Sequence, residues 1–143
     1  MSGKEYLQQL KINDSIIKNL QQEKEYLTDT LYSVSSQSYD GKVQSSRDND
    51  RMGTIFAKID EKEREIEEKI DSFIDFRMKV VDEINKLSNS KHIKILYNRF
   101  VLFKSLYDIS DELDRTYSCV TSLLCVALKE FEKVHKDMLK MAK

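Results

Sequence analysis

Apolar side chains recur along this chain at steps of three and four, the period of an α-helix with one buried face. Tyr6, Leu10, Ile17, Leu20, Leu27 and Leu31 follow that rule, with Asn13 and Lys24 at the two intervening steps, and predict a first helix over 4–31. The stretch SVSSQSYDGKVQSSRDND (33–50) has no such rhythm and reads as a polar connection without a core of its own. Ile55, Ile59, Ile66, Phe73, Val80, Ile84 and Leu87 then keep a heptad-like seam over 51–87, with Lys62, Ile70 and Arg77 between them. The polar side of this second helix carries EKEREIEEK (61–69), in which Glu61, Arg64, Glu65 and Lys69 are spaced to pair along a helix. At 1.5 Å per residue such a helix is roughly 50 Å long. The first helix, folded back as a hairpin, covers part of so long a stripe. A second copy of the chain is expected to cover the rest, as a coiled-coil dimer or higher oligomer.

From residue 89 the rhythm shortens. A helix over 90–102 turns Ile93, Leu96, Tyr97 and Phe100 inward and breaks at Phe103, Lys104 and Ser105. Ser105 and Asp108 have the form of a capping box, with Asp in the usual Glu place, and open a short helix over 106–113. Asp114, Arg115 and Thr116 make the next turn, and Thr116 caps a last helix that runs to about residue 140. Leu106, Ile109 and Leu113 face Val120, Leu124, Ala127 and Leu128, with small Ser110 at the closest approach. Two short, steeply crossed helices with that register form a helix-turn-helix. The predicted organisation is therefore residues 1–88 as a long-helix oligomerisation region, with its polar loop at 33–50, and residues 89–143 as the helix-turn-helix part.

Composition sharpens this. With no Pro and three Gly, the chain lacks the turn-formers of a compact β domain, so the fold class is all-α. Residues 1–88 hold 14 Lys/Arg against 18 Asp/Glu, a net of −4, while residues 89–143 hold 10 against 7, a net of +3. That asymmetry suits an acidic assembly region joined to a part that approaches a polyanion. The opening MSGKEYLQQL has no apolar signal core and no run is long enough to span a bilayer, which places the protein in a cytoplasm, away from membranes. Cys119 and Cys125 are too far apart on one helix for a disulfide and, with His92 and His135, offer no zinc spacing, so they read as buried or half-buried thiols. No nucleophile–base set, phosphate-cradling Gly loop or inward carboxylate pair stands out, so no enzyme, metal or cofactor is expected. Asp60, Glu63, Glu67 and Asp71 recur at helical spacing but have no partner His, and read as a solvated face.

A family resemblance rests on ILYNRFVLFKSLYDISDELDRTYSCVTSLLCVALKEFEKV (95–134). This stretch resembles region 4 of bacterial sigma factors and, more closely, the late-gene transcriptional regulators of phages from Gram-positive hosts, of the RinA and ArpU kind, with their uncharacterised relatives. Their L-x-x-R-[YF] helix is matched by Leu96 to Phe100, their E-I-A-x-x-L helix by Asp108, Ile109, Ser110 and Leu113, and their S-x-x-x-V and A-L pair by Thr116, Val120, Ala127 and Leu128. Lys4-Glu5-Tyr6-Leu7, the polar loop and the acidic second helix are also similar to such proteins. The resemblance implies binding of double-stranded DNA in transcription control inside a bacterial host cell, with contact to RNA polymerase. Two departures matter. Asp114 replaces the usual turn glycine, and the outward face of the second helix carries Tyr117, Ser118, Thr121, Ser122 and Cys125 where the family shows Arg, Lys or His.

The candidate DNA-contacting residues are Lys104, Arg115, Thr116, Tyr117, Ser118, Thr121 and Ser122. Hydroxyls and a helix N-terminus meet phosphates, and no bidentate reader of bases lies between Tyr117 and Val126. Lys129, Lys133, Lys136 and Lys140 form a stripe that either adds phosphate contacts or is a solvated face balanced by Glu130 and Glu132. Leu123, Cys125 and Val126 make the same helix apolar almost all round, which favours a rival class, a protein-interaction module that keeps the fold and binds a host protein. A small phage DNA-packaging subunit also combines such parts.

Overall fold

In the computed structural model, which describes residues 1–37 and 46–142, every element is helical. They are α1 (Gly3–Gln37), α2 (Ser46–Asn85), α3 (Ser90–Leu96), a π-helical turn (Tyr97–Val101), α4 (Leu106–Leu113), α5 (Tyr117–Val134) and α6 (Lys136–Met141). The all-α class holds. No helix among the described residues is long and apolar enough to cross a membrane. The two long helices overrun their expected bounds, taking in 33–37 and 46–50 of the polar connection, while 38–45 lie outside the described residues. Ser, Asp and Asn are weak helix formers but not breakers, so an established helix continues through them.

Two compact units are present, Met1–Asn13 with Phe73–Lys143, and Asp14–Ser72. Residue 88, where helix length changes in the sequence, is not the line of division. The start of α1 and the end of α2 share a core with the short helices, built on Leu7, Leu10, Val80, Ile84, Ile95, Leu96, Ile109, Val120, Ala127 and Phe131. Burial of an aromatic such as Phe131, which is 0 % exposed, contributes roughly 1.5–3 kcal/mol. Ser2 and Glu5 cap α1 reciprocally, Ser2 Oγ accepting from Glu5 N at 3.2 Å and Glu5 Oε2 from Ser2 N at 3.1 Å. Gly3 then lies against α5, its N–H donating to Glu132 Oε1 at 3.0 Å, where a Cβ would come within 2.8 Å of Glu132 Cγ. Tyr6 packs edge-on to Phe76 at 5.4 Å and stacks on Phe131 at 6.3 Å. Burial, with the neighbouring Glu83 carboxylate, pushes its phenol above the ordinary range.

In the Asp14–Ser72 unit, α1 and α2 run antiparallel, with Ile17, Ile55 and Ile66 buried and Lys24 paired to Glu63 at 3.1 Å. On the charged face of α2 the pairs observed are Asp60–Arg64 at 3.9 Å and Lys62–Glu65 at 3.5 Å, not the Glu61–Arg64–Glu65–Lys69 set the spacing suggests. Exposed pairs of this kind contribute little either way. Ile16, Tyr26, Tyr32 and Phe56 of this unit remain exposed.

The expected single helix over 90–102 is instead α3 followed by the π-helical turn, in which Leu102 N reaches back to Tyr97 O at 3.0 Å and Lys104 N to Asn98 O at 3.0 Å. Phe103 closes it at φ 58°, the left-handed region that suits glycine and costs another residue roughly 1–2 kcal/mol. The last helix is likewise interrupted. His135 leaves helical geometry at φ −109°, ψ 27°, with its ring on Phe131 and Nε2 at 2.7 Å from the Glu83 carbonyl, so α6 begins on a new line.

Candidate nucleic-acid interface

Local sequence builds α4 and α5. Ser105 Oγ accepts from Asp108 N at 3.1 Å and Thr116 Oγ1 from Cys119 N at 3.3 Å, so both predicted caps are in place. Asp114 stands at φ 53°, ψ 46°, in the left-handed region that favours glycine. Around it Arg115 N donates to Ser110 O at 3.0 Å and Asp114 N to Asp111 O at 3.3 Å, the two bonds of a Schellman ending. This ending turns the chain sharply enough for α5 to cross α4. Ile109 and Val120 are fully buried at the crossing, and Ser110 fits between the helices with its hydroxyl donated to Tyr107 O at 2.7 Å. Leu106, Leu113, Leu124 and Leu128 pack around that centre, as their spacing predicts.

The outer side of α5 is open: Tyr117, Ser118, Cys119, Ser122, Cys125 and Val126 are exposed and Thr121 is half-buried. The two thiols are therefore surface groups, contrary to the expectation that they are buried or half-buried. Helical phase explains this, since Cys125 lies about 140° around the helix from Val120, at 100° per residue. Among the described residues no three His, Cys, Asp or Glu side chains converge as a metal site.

The seven candidate residues are brought to one region but not left equally free. Lys104 is held by Glu112, Nζ lying 2.8 and 3.0 Å from its two oxygens. The Thr116 hydroxyl is engaged in the cap, and Thr121 Oγ1 donates to Tyr117 O at 2.8 Å, leaving it acceptor capacity only. Ser118 and Ser122 point out without a partner among the described residues, and Arg115 is exposed without a carboxylate. Tyr117 stacks on Tyr107 of α4, ring centroids 4.7 Å apart and 27° from parallel. The sequence pattern alone did not single out Tyr107, although its place beside the Ser105 cap puts it on the outer side of α4.

Charge is divided unevenly around this surface. Residues 104–126 carry Lys104 and Arg115 against Asp108, Asp111, Glu112 and Asp114, a net of −2. Farther along, the acids thought to balance the lysine stripe are engaged elsewhere. Glu130 binds His92 Nδ1 and accepts from Ser88 N at 3.2 Å and Ser88 Oγ at 3.1 Å, while Glu132 holds Gly3 N. The His92 ring, with help from Ser88, holds the Glu130 carboxyl below the usual carboxylate range. Lys129 and Lys133 thus stand exposed on α5 without a carboxylate partner among the described residues. The break at His135 moves Lys136 and Lys140 onto α6 and splits the expected single stripe. No family model, curated protein or solved structure matches the chain.

Proposed function

We propose that the chain is a DNA-binding transcriptional regulator of the phage type, acting in the cytoplasm of a bacterial host, with α4 and α5 as a sigma-region-4-like helix-turn-helix. The observation that carries this reading is the exposed, hydroxyl-bearing start of α5 on a helix pair closed by a Schellman turn and two side-chain caps. Ser118, Ser122 and Arg115 meet the DNA backbone, Tyr117 packs against the groove wall, and Lys129 and Lys133 add phosphate contacts. Such a surface supplies affinity more than sequence choice, because no bidentate base reader is present. The exposed Ile16, Tyr26, Tyr32 and Phe56 support pairing of two copies through the long helices, and a light-scattering mass of one chain would remove that part.

Titrating the full chain into a labelled mixed-sequence duplex at low salt tests the central claim. Binding that falls with salt, and weakens on every duplex alike in Arg115→Ala, is expected. No binding at low salt sinks it. Selection and sequencing of bound fragments then reports whether one motif is enriched. A second reading, docking to a host protein such as RNA polymerase, is favoured by one observation: the Tyr107–Tyr117 stack lies on helices whose Asp108, Asp111 and Asp114 have no cationic partner among the described residues. That surface suits a basic segment, which would bind in place of DNA.

A further inference from the structure

Next to Lys104, Leu7, Gln8 and Lys11 of α1 face Arg99, Phe100 and Phe103 across a cleft of about 80 Å³. Leu7 and Phe100 are buried and form an apolar floor, while Lys11 is exposed and Arg99 and Phe103 half-buried at the rim. Two cations share the rim, yet neither has a carboxylate partner among the described residues, in a chain with 25 Asp and Glu. Gln8 likewise has no hydrogen-bond partner among them. The guanidinium of Arg99 is already oriented, because Nη1 donates to the Lys104 carbonyl at 3.0 Å and leaves its remaining N–H groups for another acceptor.

The backbone holding this cleft is an unusual helix ending. The π-helical turn Tyr97–Val101 carries Arg99 and Phe100, and Phe103 sits at φ 58°. Turns of the first kind and non-glycine residues in the left-handed region both concentrate at ligand sites, where the surroundings hold a costly conformation in place. Neither is needed to end a helix, since an α-turn closed by glycine does so at lower cost.

We infer that this cleft is a binding site for a small oxyanion, a phosphate group, gripped by Arg99, Lys11 and the Gln8 amide over the Leu7–Phe100 floor. A planar guanidinium fork and a point-charge ammonium are complementary donors for phosphate oxygens. An apolar floor strengthens both by excluding water. The cleft opens to solvent at its Gln8 and Lys11 rim, so a larger ligand keeps its remainder in solvent. Occupancy ties the start of α1 to the segment that leads, through Lys104, to Ser105, the cap of α4. The phosphate comes either from free phosphate or from a DNA phosphodiester, and the inference stands whether or not the chain binds DNA.

The test uses the full chain with inorganic phosphate, followed by NMR at the Gln8 side-chain amide and Arg99 Nε, against sodium chloride of equal ionic strength. Saturable shifts at both groups are expected, weakened about tenfold in Lys11→Met, as loss of one charge-assisted hydrogen bond implies. Lys11 is exposed, so this variant folds; Arg99→Lys, which keeps the charge and loses the fork, should weaken binding too. No saturable shift at tens of millimolar phosphate, shifts confined to other residues, or equal binding by Lys11→Met each overturns the site. Duplex titration separates the sources once phosphate binds. Competition by phosphate and weaker duplex binding by Lys11→Met point to the phosphodiester, while duplex affinity unchanged in that variant points to free phosphate.

Discussion

Glu112 decides how much Lys104 can contribute to DNA binding. The ammonium is clasped by both oxygens of that carboxylate, at 2.8 and 3.0 Å. The pair is partly exposed, the two side chains being 32 % and 46 % accessible. Opening an exposed pair of this kind costs about 0.2–1 kcal/mol, or 1.4- to 5-fold in affinity for a phosphate that must compete for the lysine. Glu112→Gln keeps the volume and the position but abolishes the competition. Duplex affinity should therefore rise by about that factor, and the slope of log K against log salt should steepen by up to ~0.9 as one more cation reaches a phosphate. Removing a negative charge near DNA raises affinity in any case, so the single variant is not enough. In a Lys104→Ala background the same change reports only the general repulsion, and the difference between the two backgrounds isolates the released lysine. The assay is fluorescence anisotropy of a labelled mixed-sequence duplex across a salt series, with thermal melting to confirm an unchanged fold. If Lys104→Ala weakens binding equally with Glu or Gln at 112, the carboxylate does not gate Lys104.

Four other outcomes follow from the same geometry. Thr116→Ala removes the cap of α5 and should destabilise the chain by about 1 kcal/mol in urea unfolding, while Thr116→Ser retains the stability. Asp114→Gly should stabilise by about 0.5–1 kcal/mol, the left-handed cost recovered less the chain entropy of glycine, and no gain would mean that Asp114 is not held at positive φ. Phe131→Ala, at a fully buried site, should cost about 3–5 kcal/mol; a loss under about 1 kcal/mol would show that the core described around it is not formed. Because the folded Glu130 carboxyl titrates below its ordinary value of 4.5, it contributes stability that is present above that value and lost as the pH falls through the folded one. Melting temperature plotted against pH should show this acid limb, and Glu130→Gln should flatten it.

What was legible in the sequence is local or periodic. The bounds of α4 and the two caps depend on residues three apart, and the buried seams of α1 and α2 depend on helical period, so one sequence suffices for both. What was not legible joins distant residues through polar atoms. Glu130 meets His92 across 38 positions and Ser88 across 42, Gly3 meets Glu132 across 129, and His135 meets the Glu83 carbonyl across 52. No pattern in the neighbourhood of either partner announces such pairs. The cysteines are an intermediate case. Free Cys is usually buried, but the phase set by Val120, Ala127 and Phe131 points Cys119 and Cys125 away from the core, and that phase was available in the sequence. The π-helical turn was legible only as a break at 103–105, because the hydrophobic period does not report an inserted residue.

These long-range pairs also change how charge should be counted. In the sequence Glu130 and Glu132 stand beside the lysine stripe, and a balanced, solvated face is one of the two readings it allows. In the fold both carboxylates turn to other partners, leaving Lys129 and Lys133 open, while Asp108, Asp111 and Asp114 stand unpaired among the described residues around α4. Tyr117 and Lys133 are sixteen residues apart on one helix, about 24 Å at 1.5 Å per residue. Screening at physiological salt acts over about 8 Å, so the acidic and basic ends do not cancel each other. On the proposed reading, a duplex is attracted by the distal half of α5 and repelled beside α4. The Ser118–Ser122 surface then meets DNA after capture and does not cause it. Neutralising Asp108 and Asp111 as amides should raise duplex affinity more than removing Lys129 lowers it if DNA seats against α4. If instead Lys129 and Lys133 alone set the affinity, α5 holds DNA by its far end and the tyrosine-bearing end is free for a basic protein.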